Sequence, residues 1–282
     1  MRQCRVAPTW KSPSACRSYV VRILVITGAG VSAESGIPTF RGKDGYWRNL
    51  DPKKLATPEA FARDPQLVWE WYRERRERIR NAQPNAAHEA IARLAHHTEE
   101  FLLVTQNVDD IHKRGGLPPE KTVQIHGDIF TTWCSRCNVR STDRNIRSTS
   151  PTGATHTQLD GLKPSNFPSV SDEERSPRCR GCGAFMRPGV VWFGESLPWE
   201  QVQRVQNFLD RGACDVVIVA GTTATFGYIV DWALQARALH GELIEVNPEE
   251  TPISQFATRL VREPAAIALP RIVNAIVSYS HG

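Results

Sequence analysis

Residues Val20 to Ile26 read Val-Val-Arg-Ile-Leu-Val-Ile, a β-branched run that predicts a buried strand. That strand runs straight into Thr27-Gly28-Ala29-Gly30-Val31-Ser32-Ala33, which fits G-x-G-x-x-G/A. Glycines there permit a tight turn and close approach of the backbone to a pyrophosphate. A helix opening just after the turn would add N–H donors for such an anion. The competing reading is an ordinary strand-to-helix turn. One feature does not fit a dinucleotide site: no acid stands at the end of a clear second strand to hold a ribose. The chain instead runs into a loop, Gly36-Ile37-Pro38-Thr39-Phe40-Arg41-Gly42.

Beyond the turn, helix and strand signals alternate. Thr57-Pro58-Glu59 predicts a helix start, with Thr as N-cap and Pro at the first helical position. A helical pattern covers Gln66 to Arg80, and Pro84-Asn85 stops it and opens another helix through Leu94. Strands are expected at Phe101 to Thr105, Val123 to Ile125, Val216 to Ala220 and Leu243 to Val246, with helices near Gln201 to Leu209 and Ile229 to Leu239. Strands alternating with helices predict an α/β domain built on a parallel sheet.

Two Cys-x-x-Cys pairs interrupt this rhythm, Cys134-Ser-Arg-Cys137 and Cys179-Arg-Gly-Cys182. The 41 residues between the pairs include 12 Ser or Thr and several Pro, too little apolar surface for a core, so a loop-rich insert is expected. The pairs have the spacing of a four-thiolate zinc site. Four protein ligands leave no open position, so one structural Zn²⁺ is expected. Redox pairs and unbound thiols are the alternatives. With seven cysteines and no disulfide pattern, a reducing, cytoplasmic setting is expected.

The net charge of +5 does not argue for nucleic acid. Residues 1–33 hold Arg2, Arg5, Lys11, Arg17 and Arg22 and no acid, leaving 30 basic and 30 acidic residues elsewhere. No stretch approaches the ~20 apolar residues of a membrane helix. Residues 1–20 lack the apolar run of a secretory signal and read as a basic, solvated tail. We expect the tail at 1–20, an α/β domain over 21–130 and 186–282, and a zinc-binding insert over 131–185.

Polar residues cluster where strands end. Gln106-Asn107-Val108-Asp109 follows one strand and His126-Gly127 another. In an open parallel sheet, ligands sit beyond the carboxyl ends of strands. A histidine there suits a general base near neutral pH, although His126 taken singly reads as a satisfied structural residue. The same structural reading holds for His88, His96, His97 and His112, which look like helix-face residues.

Gly28 to Gly42 (GAGVSAESGIPTFRG), Thr105 to Asp109 (TQNVD), Ile125 to Gly127 (IHG), the two Cys pairs and Val190 to Glu195 (VVWFGE) occur in that order. Together they resemble the sirtuin family of NAD-dependent protein lysine deacylases, over about residues 20–280. The resemblance implies a Rossmann-like domain with a small zinc domain inserted, NAD and an acyl-lysine peptide meeting between them. It implies that Gly28, Ala29, Gly30, Ser32 and Glu34 line the NAD site, with Phe40 and Arg41 in a cofactor-binding loop. It gives Gln106, Asn107 and Asp109 the nicotinamide ribose and carboxamide, and His126 the role of base. Gly221, Thr222, Thr223, Asn247 and Ala265 would contact the ADP part. Val191, Trp192, Phe193, Gly194 and Glu195 would bind the substrate backbone as an added strand. The segment Ala224 to Tyr228 departs from the family pattern. The rival from another class is a zinc-ribbon binding protein that senses NAD or ADP-ribose without catalysis.

Tyr72 and Arg75 stand at i and i+3 of one helix and share a face. An arginine fork beside a phenol suits a carboxylate at the end of an acyl chain. From the helix alone, a charged solvated face is the better reading. Tyr-x-x-Arg, however, resembles the marker of sirtuins that remove succinyl, malonyl or glutaryl groups. Ala56 matches the small residue that widens their acyl pocket. The expectation is desuccinylation with weaker deacetylation.

Overall fold

The computed structural model describes residues 21–39, 51–142 and 176–279. The basic tail, Phe40 and Arg41, and most of the segment between the two cysteine pairs lie outside the described residues. In chain order come β1 (Arg22–Thr27), a 3₁₀ turn (Ala29–Ser35), and helices α1 (Pro52–Leu55), α2 (Pro58–Arg63), α3 (Pro65–Asn81) and α4 (Ala86–His97). Next are β2 (Glu100–Thr105), α5 (Ile111–Arg114), β3 (Thr122–Gln124), β4 (Gly127–Cys134), β5 (Arg140–Thr142), β6 (Met186–Val190) and α6 (Trp199–Asp210). The chain closes with β7 (Cys214–Ala220), α7 (Gly227–Ala236), β8 (Arg237–Val246), β9 (Arg259–Val261) and α8 (Ala265–Tyr279).

Six strands pair in parallel in the order β3-β2-β1-β7-β8-β9. That is the 3-2-1-4-5-6 order of dinucleotide folds, with the reversal of direction between β1 and β7. The strands read as continuous apolar runs because both faces are covered. Ile23, Val25, Leu103, Ile218 and Ile244 face one side, against Ile91 and Leu94 of α4 and Leu269 and Ile272 of α8. Leu24, Ile26, Val104, Val217, Val219 and Leu243 face the other, against Phe208 of α6 and Ile229 and Trp232 of α7. This alternation is the two-residue period of a strand.

A second sheet of three antiparallel strands runs β5-β4-β6. Helices α1 to α3 share a core with it: Leu55, Phe61, Val68, Trp69 and Tyr72 meet Ile129, Val190 and Trp192. Trp69 donates its indole N–H to the Met186 carbonyl at 2.8 Å, and the buried Arg76 donates to the carbonyls of Ile129 at 2.6 Å and Thr131 at 3.1 Å. The expected start at Thr57-Pro58 is present, the Thr57 hydroxyl accepting from the Ala60 N–H at 3.1 Å. Asn85 caps α4 in the same manner.

Two elements differ from expectation. The helix expected to reach Leu239 stops at Ala236, because Arg237 is already extended and pairs with Cys214 at the edge of β7. The glycine turn leads into a seven-residue 3₁₀ turn rather than an α-helix. Among the described residues, no helix is long and apolar enough to cross a membrane.

Candidate active site

The crevice opens where β1 and β7 leave the sheet. Gly28 N–H donates to the Ala220 carbonyl at 3.1 Å and Gly30 N–H to the Gly221 carbonyl at 2.8 Å, so the two strand-end turns lock together. A Cβ on Gly30 would stand 2.8 Å from the Gly221 Cα, and one on Gly28 would stand 2.8 Å from the Thr222 Cβ. Gly221 has φ +59°, in the left-handed region, and a Cβ there would meet the Gly30 carbonyl carbon at 2.7 Å. With the N–H groups of Gly30 and Val31 held by backbone carbonyls, an anion has fewer donors here than the bare motif implies.

Below the turn lies a buried polar cluster. The Ser32 hydroxyl donates to the Asp109 carboxylate at 3.1 Å and accepts from the Asn107 side-chain amide at 3.1 Å. Asp109 Oδ1 also accepts from the Ile111 N–H at 3.1 Å. Burial pushes the Asp109 carboxyl above its usual range, against two hydrogen bonds that favour its ionised form. His88 Nδ1 accepts from the Asn85 N–H at 3.3 Å, so its proton sits on Nε2, which faces the Ser32 hydroxyl at 3.4 Å. His112 Nε2 lies 3.2 Å from the Thr27 hydroxyl, and the two imidazoles pack at 4.7 Å. Burial lowers His88 to about 4 and His112 well below the usual histidine value. Both are satisfied structural residues on the buried faces of α4 and α5. They are buried because Thr27 and Ser32 offer partners under the crevice, a tertiary fact invisible in the helix pattern. The spacing Asn85-Ala-Ala-His88 does carry one local signal, that of a capping box with histidine at its far end.

Gln106 bridges the two halves. Its amide donates to the Thr222 hydroxyl at 2.8 Å, and its carbonyl faces His126 Nδ1 at 3.0 Å. A carbonyl can only accept, so the His126 proton sits on Nδ1 and Nε2 carries the lone pair. Nε2 accepts from the Tyr228 hydroxyl at 2.5 Å. Burial lowers the His126 pKa, opposed by the Gln106 carbonyl. Tyr228 is legible in the sequence only as part of a departure from the family pattern.

The remaining expected residues divide. Thr222 is buried and binds the Ala224 N–H at 3.1 Å, while Thr223 faces the Thr225 hydroxyl at 3.0 Å. Asn247, at the end of β8, is buried and holds the Glu249 carbonyl at 3.0 Å, and Ala265 is buried at the start of α8. Glu34 is exposed and joins none of these contacts, because the 3₁₀ turn directs it outward.

The residues expected around the acyl group do converge. The Trp192 indole donates to the Tyr72 hydroxyl at 2.9 Å, and Phe193 N–H donates to the Ala56 carbonyl at 2.9 Å. Burial pushes Tyr72 up to about 12, so it is a neutral phenol with a proton to donate. The Arg75 guanidinium packs over Trp71 at 5.0 Å, beside the Tyr72 phenol and close enough to Asp109 for its charge to act on it. Burial lowers its pKa, yet an arginine remains charged. Arg75 is thus no part of a solvated charged face.

The stretch Val191 to Glu195, expected to bind a substrate backbone, makes several backbone contacts of its own. Val191 N–H donates to the His126 carbonyl at 2.8 Å, Trp192 N–H to the Glu195 carboxylate at 2.8 Å, and Glu195 N–H to the Trp192 carbonyl at 3.0 Å. Gly194, at φ +86°, turns the chain, and Arg187 clamps Glu195 at 2.5 Å. Most of its N–H donors are used within the protein. A peptide added here would rest on carbonyl acceptors and the half-exposed Phe193.

Cys134, Cys137, Cys179 and Cys182 bring their sulfurs within 4.8 Å of one another. Three separations are 3.4, 3.6 and 3.7 Å. A tetrahedron with Zn–S bonds of ~2.3 Å has sulfur separations of about 3.8 Å, so the donor set fits zinc.

The family model described as Sir2 family matches residues 28–226. An NAD-dependent protein deacylase of Aquifex aeolicus is 40% identical over 252 residues, spanning 89% of this chain and 94% of the relative. A solved Sir2 homologue–NAD complex superposes with a TM-score of 0.76 at 38% identity, covering 93% of this chain and 92% of its own. A Sir2 homologue mutant in complex with 2′-O-acetyl ADP ribose gives 0.76 at 37% identity, covering 93% and 94%. The chain belongs to the Sir2 family, the sirtuins.

Proposed function

We propose that this protein removes acyl groups from protein lysines with NAD as co-substrate, favouring acidic acyl groups such as succinyl and malonyl over acetyl. With one water consumed to release the amine, the products would be lysine, nicotinamide and O-acyl-ADP-ribose. The observation that carries the reading is the meeting of Gln106, Asn107, Asp109 and His126 beside the Gly28–Gly30 and Gly221 crevice. Relatives named as NAD-dependent deacylases, and the complexes with NAD and 2′-O-acetyl ADP ribose, support it.

NAD supplies the electrophile, its bond to nicotinamide breaking as the acyl amide oxygen attacks the ribose. The chain's own residues orient and shelter that event. The crevice glycines bring backbone against the ADP half, with Thr222, Thr223, Asn247 and Ala265 beside it. Asn107 and Asp109, fixed through Ser32, hold the nicotinamide end, and Gln106 ties both sides together. His126, with its proton fixed on Nδ1, accepts a proton at Nε2 from a ribose hydroxyl. Its lowered pKa keeps it neutral and competent at pH 7. The four cysteines would hold one zinc as a structural staple of the small sheet. Tyr72 and Arg75 would receive a terminal carboxylate, the phenol donating one hydrogen bond and the guanidinium the charge. We also place the enzyme in the cytoplasm, where a reducing setting keeps such a four-thiolate site reduced.

The non-catalytic sensing alternative is not favoured, because it leaves the arranged base without a task. Release of nicotinamide from NAD in the presence of an acyl-lysine peptide tests the reading. We expect turnover with the wild type and a loss of ~10²–10⁴-fold in His126→Ala. Release that never depends on an acyl peptide, or an unaffected His126→Ala, would refute it.

A further inference from the structure

We propose that Tyr228 is a positioning residue of this site: its hydroxyl fills the proton-accepting nitrogen of His126 in the free enzyme and yields that place to a ribose hydroxyl when the dinucleotide binds. The proposal rests on the deacylase reading above. Its starting point is the 2.5 Å contact between the Tyr228 hydroxyl and Nε2. With the imidazole proton held on Nδ1 by the Gln106 carbonyl, the phenol is the donor and the lone pair needed for proton abstraction is occupied. A phenol O–H and a ribose O–H offer that nitrogen the same kind of donor, so one substitutes for the other.

The surroundings favour displacement over a relay through the phenol. Tyr228 stands on the first turn of α7, and Phe226 just before it makes no side-chain cap. Phe226 is 40% exposed, stacks on Tyr228 at 5.6 Å and 14°, and meets His126 edge-on at 5.7 Å. Gly227 between them has open space around its Cα. An uncapped, exposed helix start carrying two stacked rings moves at low cost. Trp232, one turn on and buried, packs against Tyr228 at 5.1 Å and gives the ring a resting place. Burial raises the Tyr228 pKa, so the phenol keeps its proton and is a poor relay. Around the imidazole, Gln106 from the end of β2 is neutral. Asp128 on β4 is turned to the Phe130 N–H at 2.7 Å, and Tyr228 is the titratable group in contact.

A hydrogen bond donated to Nε2 stabilises the neutral imidazole. Removing it in Tyr228→Phe should raise the His126 titration midpoint in the free enzyme by about half to one pH unit, read by NMR of ¹⁵N-histidine-labelled protein. The same variant should show kcat/KM for NAD raised about two- to tenfold, because the ribose no longer competes with the phenol. In the wild type, saturating NAD should shift the Nε2 resonance as the donor changes, whether or not the variant folds. An unchanged His126 titration in folded Tyr228→Phe, an Nε2 resonance unmoved by bound NAD, or a tenfold fall in kcat would overturn the proposal. Failure of NAD to bind, measured by calorimetry, would instead count against the deacylase reading, while the free-enzyme titration would still decide the role of Tyr228.

Discussion

In β1 every residue from Arg22 to Thr27 is buried, and β7 is nearly as dry. In β4 buried Ile129, Thr132 and Cys134 are separated by half-buried neighbours, and the core at the far end of its sheet is Cys134, Cys179 and Met186. The large sheet is held by two apolar faces, each covered by helices. The end of the small sheet has three buried side chains and four converging sulfurs. A chain of one composition thus builds two kinds of end: buried apolar area throughout the large sheet, and at the cysteine end of the small sheet few buried side chains beside a donor set that fits zinc. The candidate chemistry lies along the line between them, with His126 in Ile125-His126-Gly127, where the large sheet hands over to the small one.

The largest effect should come from breaking the second region alone. Structural zinc contributes apparent binding energies of ~10–16 kcal/mol in small metal modules. Cys134→Ser, or removal of metal with a chelator, should release zinc and strip hydrogen-exchange protection from β5 and from the Cys134 and Met186 ends of β4 and β6. The amides of β1 and β7 should keep theirs. Loss of protection in both sheets at once would mean that the two regions do not differ as described.

Breaking the crevice end of the first region should come next. Gly221→Ala places a side chain in the left-handed region and presses it on the Gly30 backbone. Left-handed strain and overpacking together amount to roughly 2–5 kcal/mol. We expect that loss in denaturant unfolding, together with NAD affinity weakened tenfold or more. An effect below about 0.5 kcal/mol would show that the locked turns are not needed.

These two regions also differ in how they can be read from sequence. The sheet is legible because strands covered on both faces become unbroken apolar runs, and because Thr57, Pro58 and Asn85 signal helix starts by local chemistry. The four cysteines are legible because metal geometry demands a fixed spacing. The features that escape such a reading depend on contacts distant in the chain. His88 and His112 are legible as structural residues of helix faces, but not their partners, Ser32 and Thr27, which lie more than 50 positions away. Nothing local to Val191–Glu195 says that Ala56 and His126 accept from its N–H groups. Arg75 reads as solvated until α3 is set against Trp192 and the Asp109 side of the crevice.

The buried histidines sharpen the comparison further, since they belong to the apolar region and penalise it in acid. The His88 value in the folded state, about 4, lies below its unfolded value of ~6.5. The unfolded chain therefore binds the extra proton first. Stability is full above about pH 6.5 and falls as pH drops toward 4, by of order 3 kcal/mol for this group. His88→Gln should flatten the dependence of unfolding free energy on pH across that window. An unchanged slope would show that His88 is not held neutral.

The central claim is an acidic acyl pocket built by Tyr72 and Arg75 next to the NAD crevice. It is tested most directly by kcat/KM for two peptides of identical sequence, one with succinyl-lysine and one with acetyl-lysine, on wild type and Arg75→Met. A charged hydrogen-bond pair is worth ~1.5–3 kcal/mol. The account predicts that wild type prefers the succinyl peptide, and that the variant loses roughly ten- to hundredfold on it while keeping its acetyl rate. Equal losses on both peptides, or a wild-type preference for acetyl, would contradict it.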